Sequence, residues 1–228
     1  MWIILIIIEL LYISFSTFFS LKYCNDLLKG ELLRTFVRSI SLIIYLYIYN
    51  RKKIHQTNKI NNSKDKIVIF LSVILIMLFP LLFQKAGFTG PLQLIWILSS
   101  FIVGFREELF YRGLLQNRLS TKYSIVTTLI ITSMIFTSYH VIYFIWGQWI
   151  TLIQVFIWSL FIGIIYIKTK KIILVSLIHS IYDAIPFVTP FKISSIPYFY
   201  GLLFVGISTI ILFPLVIIKN KNLTTAST

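Results

Sequence analysis

The sequence predicts an all-α integral membrane protein with about eight transmembrane helices. The chain is 58% hydrophobic and only 12% charged, whereas soluble domains carry about a quarter charged residues. Its apolar residues are grouped into runs, most of which approach the ~20 residues that a bilayer-spanning helix needs. Aromatic residues make up 17% of the chain, which suits lipid-facing and interfacial positions.

Short polar connections separate eight apolar runs. The runs cover residues 1–21, 35–50, 66–84, 91–119, 124–146, 149–167, 172–187 and 197–218. The first run has no basic leader or small-residue cleavage site, so we expect a retained first helix. We find no repeat, linker or low-complexity tract, which predicts a single polytopic membrane domain over residues 1–228.

The distribution of positive charge predicts the orientation of these helices, because cytoplasmic loops are enriched in Lys and Arg. With a cytoplasmic N-terminus, fifteen of the 21 Lys and Arg residues fall on the cytoplasmic side. The six that do not are Lys22, Lys29, Arg34, Arg38, Lys85 and Lys192. We therefore expect both termini to be cytoplasmic, and the first loop agrees least with this topology.

Composition also excludes several classes of protein. The net charge of +14 does not indicate nucleic-acid binding, because the basic residues lie between apolar runs, where they meet anionic lipid headgroups. The expected environment is thus the lipid bilayer, with no nucleic-acid partner. Cys24 is the one cysteine, which excludes an internal disulfide and a cysteine-based zinc site.

Ionisable residues inside apolar runs are costly and are functional by default. One cluster is Phe105-Arg106-Glu107-Glu108, followed by Arg112. Glu108 and Arg112 are four residues apart and can pair on a helix, while Glu107 points about 100° away around the helix. Glu107 could then act as a general base, or the whole cluster could be an ion-paired helix end at the cytoplasmic surface.

Two further polar elements lie in later runs. His140 follows Phe136 in the fifth run, and His179 and Asp183 are four residues apart in the seventh, which places both on one helix face. A lone membrane histidine usually satisfies an interhelical hydrogen bond, but three such elements together favour a convergent polar site. If the chain turns near Ser120, however, Glu107 lies ~20 Å and His140 ~30 Å from that turn.

These motifs, taken together and in order, resemble the CPBP family, which includes type II CAAX prenyl endopeptidases and Abi-like bacterial relatives linked to bacteriocin processing and self-immunity. The resemblance covers a motif-bearing core at about residues 91–187. It rests on Glu-Glu-x-x-x-Arg (Glu107, Glu108, Arg112), Phe-x-x-x-His (Phe136, His140) and His-x-x-x-Asn/Asp (His179, Asp183).

The resemblance implies a CAAX-protease-like bundle with a polar intramembrane cavity. It also implies that Glu107 activates the attacking water and that His140 helps to hold and polarise it. His179 and Asp183 would occupy the positions that stabilise the oxyanion. An ionised Asp cannot donate a hydrogen bond to an oxyanion, whereas Asn can. Asp183 would act there only if protonated, or by orienting His179 as a charged donor.

Metal dependence is left open by the sequence. Glu107, His140 and His179 form a His₂Glu set of the kind that can bind catalytic zinc, yet one glutamate cannot easily be both ligand and base. A His-Glu-x-x-His motif does not occur in the sequence, so a zincin arrangement is excluded. We expect no obligatory metal, with a divalent metal such as zinc as the alternative.

The function predicted from these motifs is hydrolysis of a peptide bond in a membrane-associated peptide or protein by a glutamate-activated water. The alternatives are a non-catalytic bacteriocin-immunity or peptide-binding protein, and a small transporter. A transporter would often show a repeat or symmetrically broken helices, which we do not find.

Frequent Ile, Lys and Asn suggest an AT-rich bacterial genome, and hence a bacterial plasma membrane. The sequence does not predict the oligomeric state.

Overall fold

The structure, a computed structural model, describes residues 2–51, 63–81, 90–141, 147–188 and 198–224. All regular elements within these ranges are helical. A π-helical segment, Leu109–Gln116, continues without a break from the helix Pro91–Glu108 into the short helix Asn117–Leu119. The helices are α1 (Trp2–Lys22), α2 (Leu27–Arg51), α3 (Ser63–Leu81), α4 (Pro91–Glu108), α5 (Asn117–Leu119), α6 (Ile125–Tyr139), α7 (Trp149–Thr169), α8 (Ile172–Val188) and α9 (Tyr198–Thr224).

The helix positions agree closely with the eight apolar runs, because α4, the π-helical segment and α5 together fill the single run 91–119. The ends of four runs, residues 1, 82–84, 142–146 and 197, lie outside the described residues. By length and composition, α2 and α7 are long and apolar enough to cross a membrane. The all-α fold is therefore confirmed, and the count of eight transmembrane helices stays a prediction.

Helix α2 begins eight residues earlier than the predicted run because its charges neutralise one another. Glu31, which is buried, forms ion pairs with Arg34 and with Arg38. Ser99 of α4 donates a hydrogen bond to the same carboxylate over 2.7 Å. Three of the basic residues assigned to the first loop, Lys29, Arg34 and Arg38, thus belong to the helix.

Local sequence signals explain where several helices begin and end. Gly90 has a φ of 78°, and Pro91 follows it at the first turn of α4, where proline's missing N–H is not needed. The Ser124 hydroxyl accepts a hydrogen bond from the Thr127 N–H at the start of α6, as N-cap serines do. Lys170 adopts a left-handed conformation and ends α7.

Helix α4 has a central position, because it packs against α8 on one side and α2 on the other. Helix α7 packs against α6 and α9, α9 against α3, and α1 against α2. The bundle places apolar side chains outward, for example Leu10, Ile43, Phe70, Leu94, Ile173 and Ile210. It buries charged side chains, including Arg106, Glu108 and Arg112, and this arrangement of polarity suits a lipid environment.

Candidate active site

The predicted catalytic residues lie where α4 passes into the π-helical segment. Glu107 and Glu108 are the last two residues of α4, and Arg112 lies within Leu109–Gln116. π-helical segments are rare and occur frequently at functional sites. The sequence predicted a helix here but not its change of hydrogen-bonding pattern.

A buried ion pair and a histidine form the centre of the site. Arg112 Nε donates to Glu108 Oε2 over 3.0 Å, and both side chains are fully buried. His179 Nδ1 lies 2.8 Å from Glu108 Oε1. A carboxylate can only accept, so Nδ1 is the donor. The predicted pairing of Glu108 with Arg112 is confirmed, and Glu108 in addition orients the His179 ring.

Arg112 is held by two further buried groups that the sequence analysis did not single out. Its Nη2 donates to Ser159 Oγ over 2.8 Å, and its Nη1 donates to Gln116 Oε1 over 3.3 Å. Gln116 in turn donates to the carbonyl of Gly163 over 3.2 Å. These bonds tie the guanidinium to α7 and fix the position of the Glu108 carboxylate.

Glu107 faces the opposite nitrogen of the same histidine. Its Oε2 lies 4.0 Å from His179 Nε2, and its side chain is 5% exposed. The neighbouring arginines are engaged by other carboxylates, since Arg106 pairs with Glu9 and Arg112 with Glu108. Among the described residues, Glu107 is thus a buried carboxylate that contacts a histidine and forms no ion pair with a guanidinium group within 4.0 Å.

His140 also belongs to this cluster. It caps the end of α6, where its Nδ1 lies 2.9 Å from the carbonyl oxygen of Phe136. A carbonyl accepts, so Nδ1 donates and Nε2 of the neutral ring is an acceptor. His140 interacts electrostatically with Glu107, and its ring packs 4.7 Å from Phe136.

The sequence predicted that Glu107 and His140 lie at different distances from the turn between their helices. The position of the turn between α5 and α6 largely removes this difference. Residues 120–124 are not helical, and α6 begins at Ile125. Glu107 is then ~18 Å of helix from Leu119, and His140 is ~22 Å from Ile125. The two residues therefore reach similar depths.

Asp183 forms the more open side of the site. Its Oδ2 lies 3.5 Å from His179 Nε2, and 36% of its side chain is exposed, against 5% for His179. The predicted placement of both on one face of a helix is confirmed. A ligand could approach His179 Nε2 from the Asp183 side, because the other contacts of the ring are buried.

Aromatic side chains surround the histidine. Trp158 of α7 lies edge-on, with ring centroids 5.7 Å apart, and Phe136 lies 6.2 Å away. Trp158 also stacks on Tyr182 at 4.2 Å. These rings shield the Glu108–His179 contact from water, which strengthens the electrostatic interactions within it.

Sequence reasoning missed one acidic residue beside the site. Glu9 of α1 is buried and contacts Arg106 Nη2 at 2.5 Å. It is the one acidic residue in the first apolar run, which is the signal that could have identified it. Arg106 and Arg112, two of the fifteen basic residues counted on the cytoplasmic side, are 0% exposed and lie within helical segments rather than in a loop.

We tested whether the proposed ligands suit a metal ion. Within the described residues, no group of three or more His, Cys, Asp and Glu side chains is arranged to hold one. His179 Nδ1 is occupied by Glu108, and its Nε2 lies 3.5 Å from Asp183 and 4.0 Å from Glu107. The arrangement of these side chains does not fit a zinc site.

Comparison with known proteins agrees with this geometry. A family model described as type II CAAX prenyl endopeptidase Rce1-like matches residues 89–185, a range that contains all six predicted site residues. Over these residues, which are less than half of the chain, it is similar to the Rce1-like family. The match supports the predicted resemblance and a membrane protease. Neither the curated proteins nor the solved structures give a match.

Proposed function

We propose that this Rce1-like chain is an intramembrane endopeptidase that hydrolyses its substrate with a water molecule activated by Glu107. One observation carries the proposal: a single imidazole, His179, has Glu108 on one nitrogen and Glu107 with Asp183 near the other. An arrangement for structural support alone would not require two further carboxylates around Nε2.

Glu107 is suited to the role of general base. It is buried, it faces no guanidinium ion pair, and His140 and His179 are its histidine neighbours. Carboxylates at such positions contribute about 10²–10⁴-fold to rates when they transfer protons. The acceptor Nε2 of His140 can hold the second hydrogen of the same water.

His179 is suited to stabilise the oxyanion. With Nδ1 donating to Glu108, Nε2 can donate a hydrogen bond only when the imidazole is protonated. The cluster contains three carboxylates, Glu107, Glu108 and Asp183, against one guanidinium, so a positive charge on His179 improves its charge balance. A charged donor fixed before substrate arrives stabilises developing negative charge strongly.

The reaction proceeds in two proton-balanced steps. The water oxygen bonds to the scissile carbonyl carbon while Glu107 takes its proton, and the carbonyl oxygen becomes an oxyanion next to His179 Nε2. When this intermediate collapses, the C–N bond breaks and the departing amine takes the proton from Glu107. The products are a new carboxyl terminus and a new amino terminus.

The substrate we propose is a membrane-associated peptide or protein. The matched family is described by its action on CAAX prenyl proteins, but bacteria generally lack prenylated proteins. For a bacterial plasma membrane, a leader peptide, pheromone precursor or bacteriocin-like peptide is the better candidate. The apolar outer surface of the bundle fits a substrate that arrives within or along the bilayer.

Comparing peptide termini in cells tests this function. Membrane-associated termini are measured by mass spectrometry in native cells that carry the wild-type protein or Glu107→Gln at equal abundance. The proposal expects at least one terminus to disappear with the variant. Unchanged termini together with a persistent biological phenotype would instead favour a non-catalytic binding or immunity protein.

A further inference from the structure

Beside the active site lies a second buried polar cluster, built mainly by helices outside the family match. Arg106 is its centre and is fully buried. Its Nη2 contacts Glu9 Oε2 at 2.5 Å, and its Nε donates to Ser41 Oγ over 2.9 Å. Tyr45 donates to the other oxygen of Glu9 over 2.6 Å. Helices α1 and α2 therefore hold this arginine from two sides.

The cluster also contacts the residues around His140. The Arg106 guanidinium lies 3.6 Å from the ring centroid of Tyr12, a distance at which cation–π attraction is strong. Tyr12 stacks on Tyr139 with 6.0 Å between centroids, and Tyr139 packs against His140 at 5.1 Å. The cluster thus runs from α1 to the end of α6.

One donor of Arg106 is still available. Within the described part of the chain, its Nη1 is buried without a hydrogen-bond partner. The next residue along the helix is Glu107, with which Arg106 interacts electrostatically. A buried guanidinium without a carboxylate partner is strongly unfavourable. If Glu9 were neutral, Glu107 would be the nearest alternative partner on the same helix.

We propose that Glu9 is a positioning residue that keeps Arg106 away from the general base. Held by Glu9, Ser41 and Tyr12, the guanidinium is neutralised on the side of α4 that faces α1 and α2, and Glu107 stays available to take a proton from water. This inference rests on the proposed function of Glu107. It assigns to α1, which lies outside residues 89–185, an influence on the catalytic carboxylate that acts through Arg106.

The charged and titratable groups around the two residues overlap in part. Arg106 is faced by Glu9, Tyr12, Tyr45 and Tyr139, and Glu107 by His140, His179 and Asp183 in addition to Arg106 itself. Tyr111 and Tyr139 interact with both Arg106 and Glu107. Arg106 is the charged group that pairs with Glu9 and also interacts with Glu107, so we expect a change at Glu9 to reach Glu107 through this guanidinium.

Infrared spectroscopy of the purified protein in lipid bilayers tests the proposal without a substrate. The chain has four glutamates, Glu9, Glu31, Glu107 and Glu108, so ¹³C-carboxyl labelling of glutamate separates them from the aspartates. Subtracting the Glu107→Gln spectrum isolates the Glu107 band. We expect the frequency of this band to shift in a Glu9→Gln background. In the double variant Glu9→Gln with Arg106→Gln, the frequency should return to its value in the wild-type background.

A matched control is available in Glu31, another buried glutamate paired with arginines. Glu31→Gln should lower the melting temperature without moving the Glu107 band. If Glu9→Gln does not fold, Tyr45→Phe leaves the Glu9 carboxylate in place, removes its hydrogen bond from Tyr45 and the contact of that hydroxyl with Arg106, and should give a smaller shift of the band. A Glu107 band that stays in place in every Glu9 or Tyr45 variant that folds overturns the proposal.

Formation of the product terminus in cells, measured at equal protein abundance, distinguishes a failure of the proposed role of Glu9 from a failure of the proposed role of Glu107. We expect Glu9→Gln to lower it by about tenfold or more, part of what a general base contributes, and the double variant to restore most of it. If Glu107→Gln is inactive while Glu9→Gln is unimpaired, this inference fails alone. If Glu107→Gln is fully active, the proposed function itself fails.

Discussion

A Cβ atom added to Gly104 would lie 2.8 Å from the backbone nitrogen of Ser180 and 3.0 Å from its Cα. Helices α4 and α8 therefore meet backbone to backbone at this point, which only a glycine permits. Gly104 is one turn before Glu107 and Glu108, and Ser180 directly follows His179. This contact sets the separation between the carboxylates and the imidazole.

Gly104→Ala is expected to force α4 and α8 apart. The added methyl would collide with backbone, which cannot rotate away, so we expect a destabilisation of about 1–3 kcal/mol or more and reduced activity. The matched control is Gly206→Ala on α9, where a Cβ meets nothing within 4 Å and helix propensity improves. Thermal unfolding in detergent, compared for the two variants, checks this. Equal melting temperatures would contradict the close helix contact.

Arg112→Ala is expected to reduce the yield of folded protein. The change leaves Glu108 buried with only His179 as a partner, and removing one member of a buried ion pair costs about 3–5 kcal/mol. Arg118→Ala is the control, because Arg118 is exposed and surface changes stay within about 0.5 kcal/mol. Normal abundance and melting behaviour of Arg112→Ala would show that the pair contributes little.

Variants of Asp183 distinguish two roles for this side chain. An amide can donate a hydrogen bond to the oxyanion, so Asp183→Asn should retain activity within about tenfold, whereas Asp183→Ala should lose about 10²–10³-fold. Formation of the product terminus, measured at equal protein abundance, checks both. If Asn were as inactive as Ala, the negative charge of Asp183 near His179 Nε2 would be the essential feature.

The positions of the helices were predictable from the sequence, because a long apolar run indicates a helical segment that faces lipid. The start of α2 was not, because a hydropathy profile counts Glu31, Arg34 and Arg38 separately, whereas the fold pairs them. The π-helical segment Leu109–Gln116 was also missed, since the spacing of apolar residues does not show where the hydrogen-bonding pattern shifts.

Two pairings within the candidate site were predictable from motif spacing, which reflects helix geometry within one element. The Glu108–Arg112 and His179–Asp183 pairs are each four residues apart, so one helix brings them together. The Glu108–His179 contact spans 71 residues and the Arg106–Glu9 contact spans 97. Contacts of that range depend on which helices pack together, which spacing within a helix does not determine.

We propose that Glu107 takes the proton from the attacking water. Hydrolysis by the purified protein in lipid bilayers of a peptide that carries the cleavage site defined in cells tests this role. The wild type is compared with Glu107→Gln and with the control Glu31→Gln. We expect kcat to fall about 10²–10⁴-fold in Glu107→Gln with an unchanged melting temperature, while Glu31→Gln keeps the wild-type kcat. A folded Glu107→Gln variant with the wild-type kcat would show that Glu107 is not the general base.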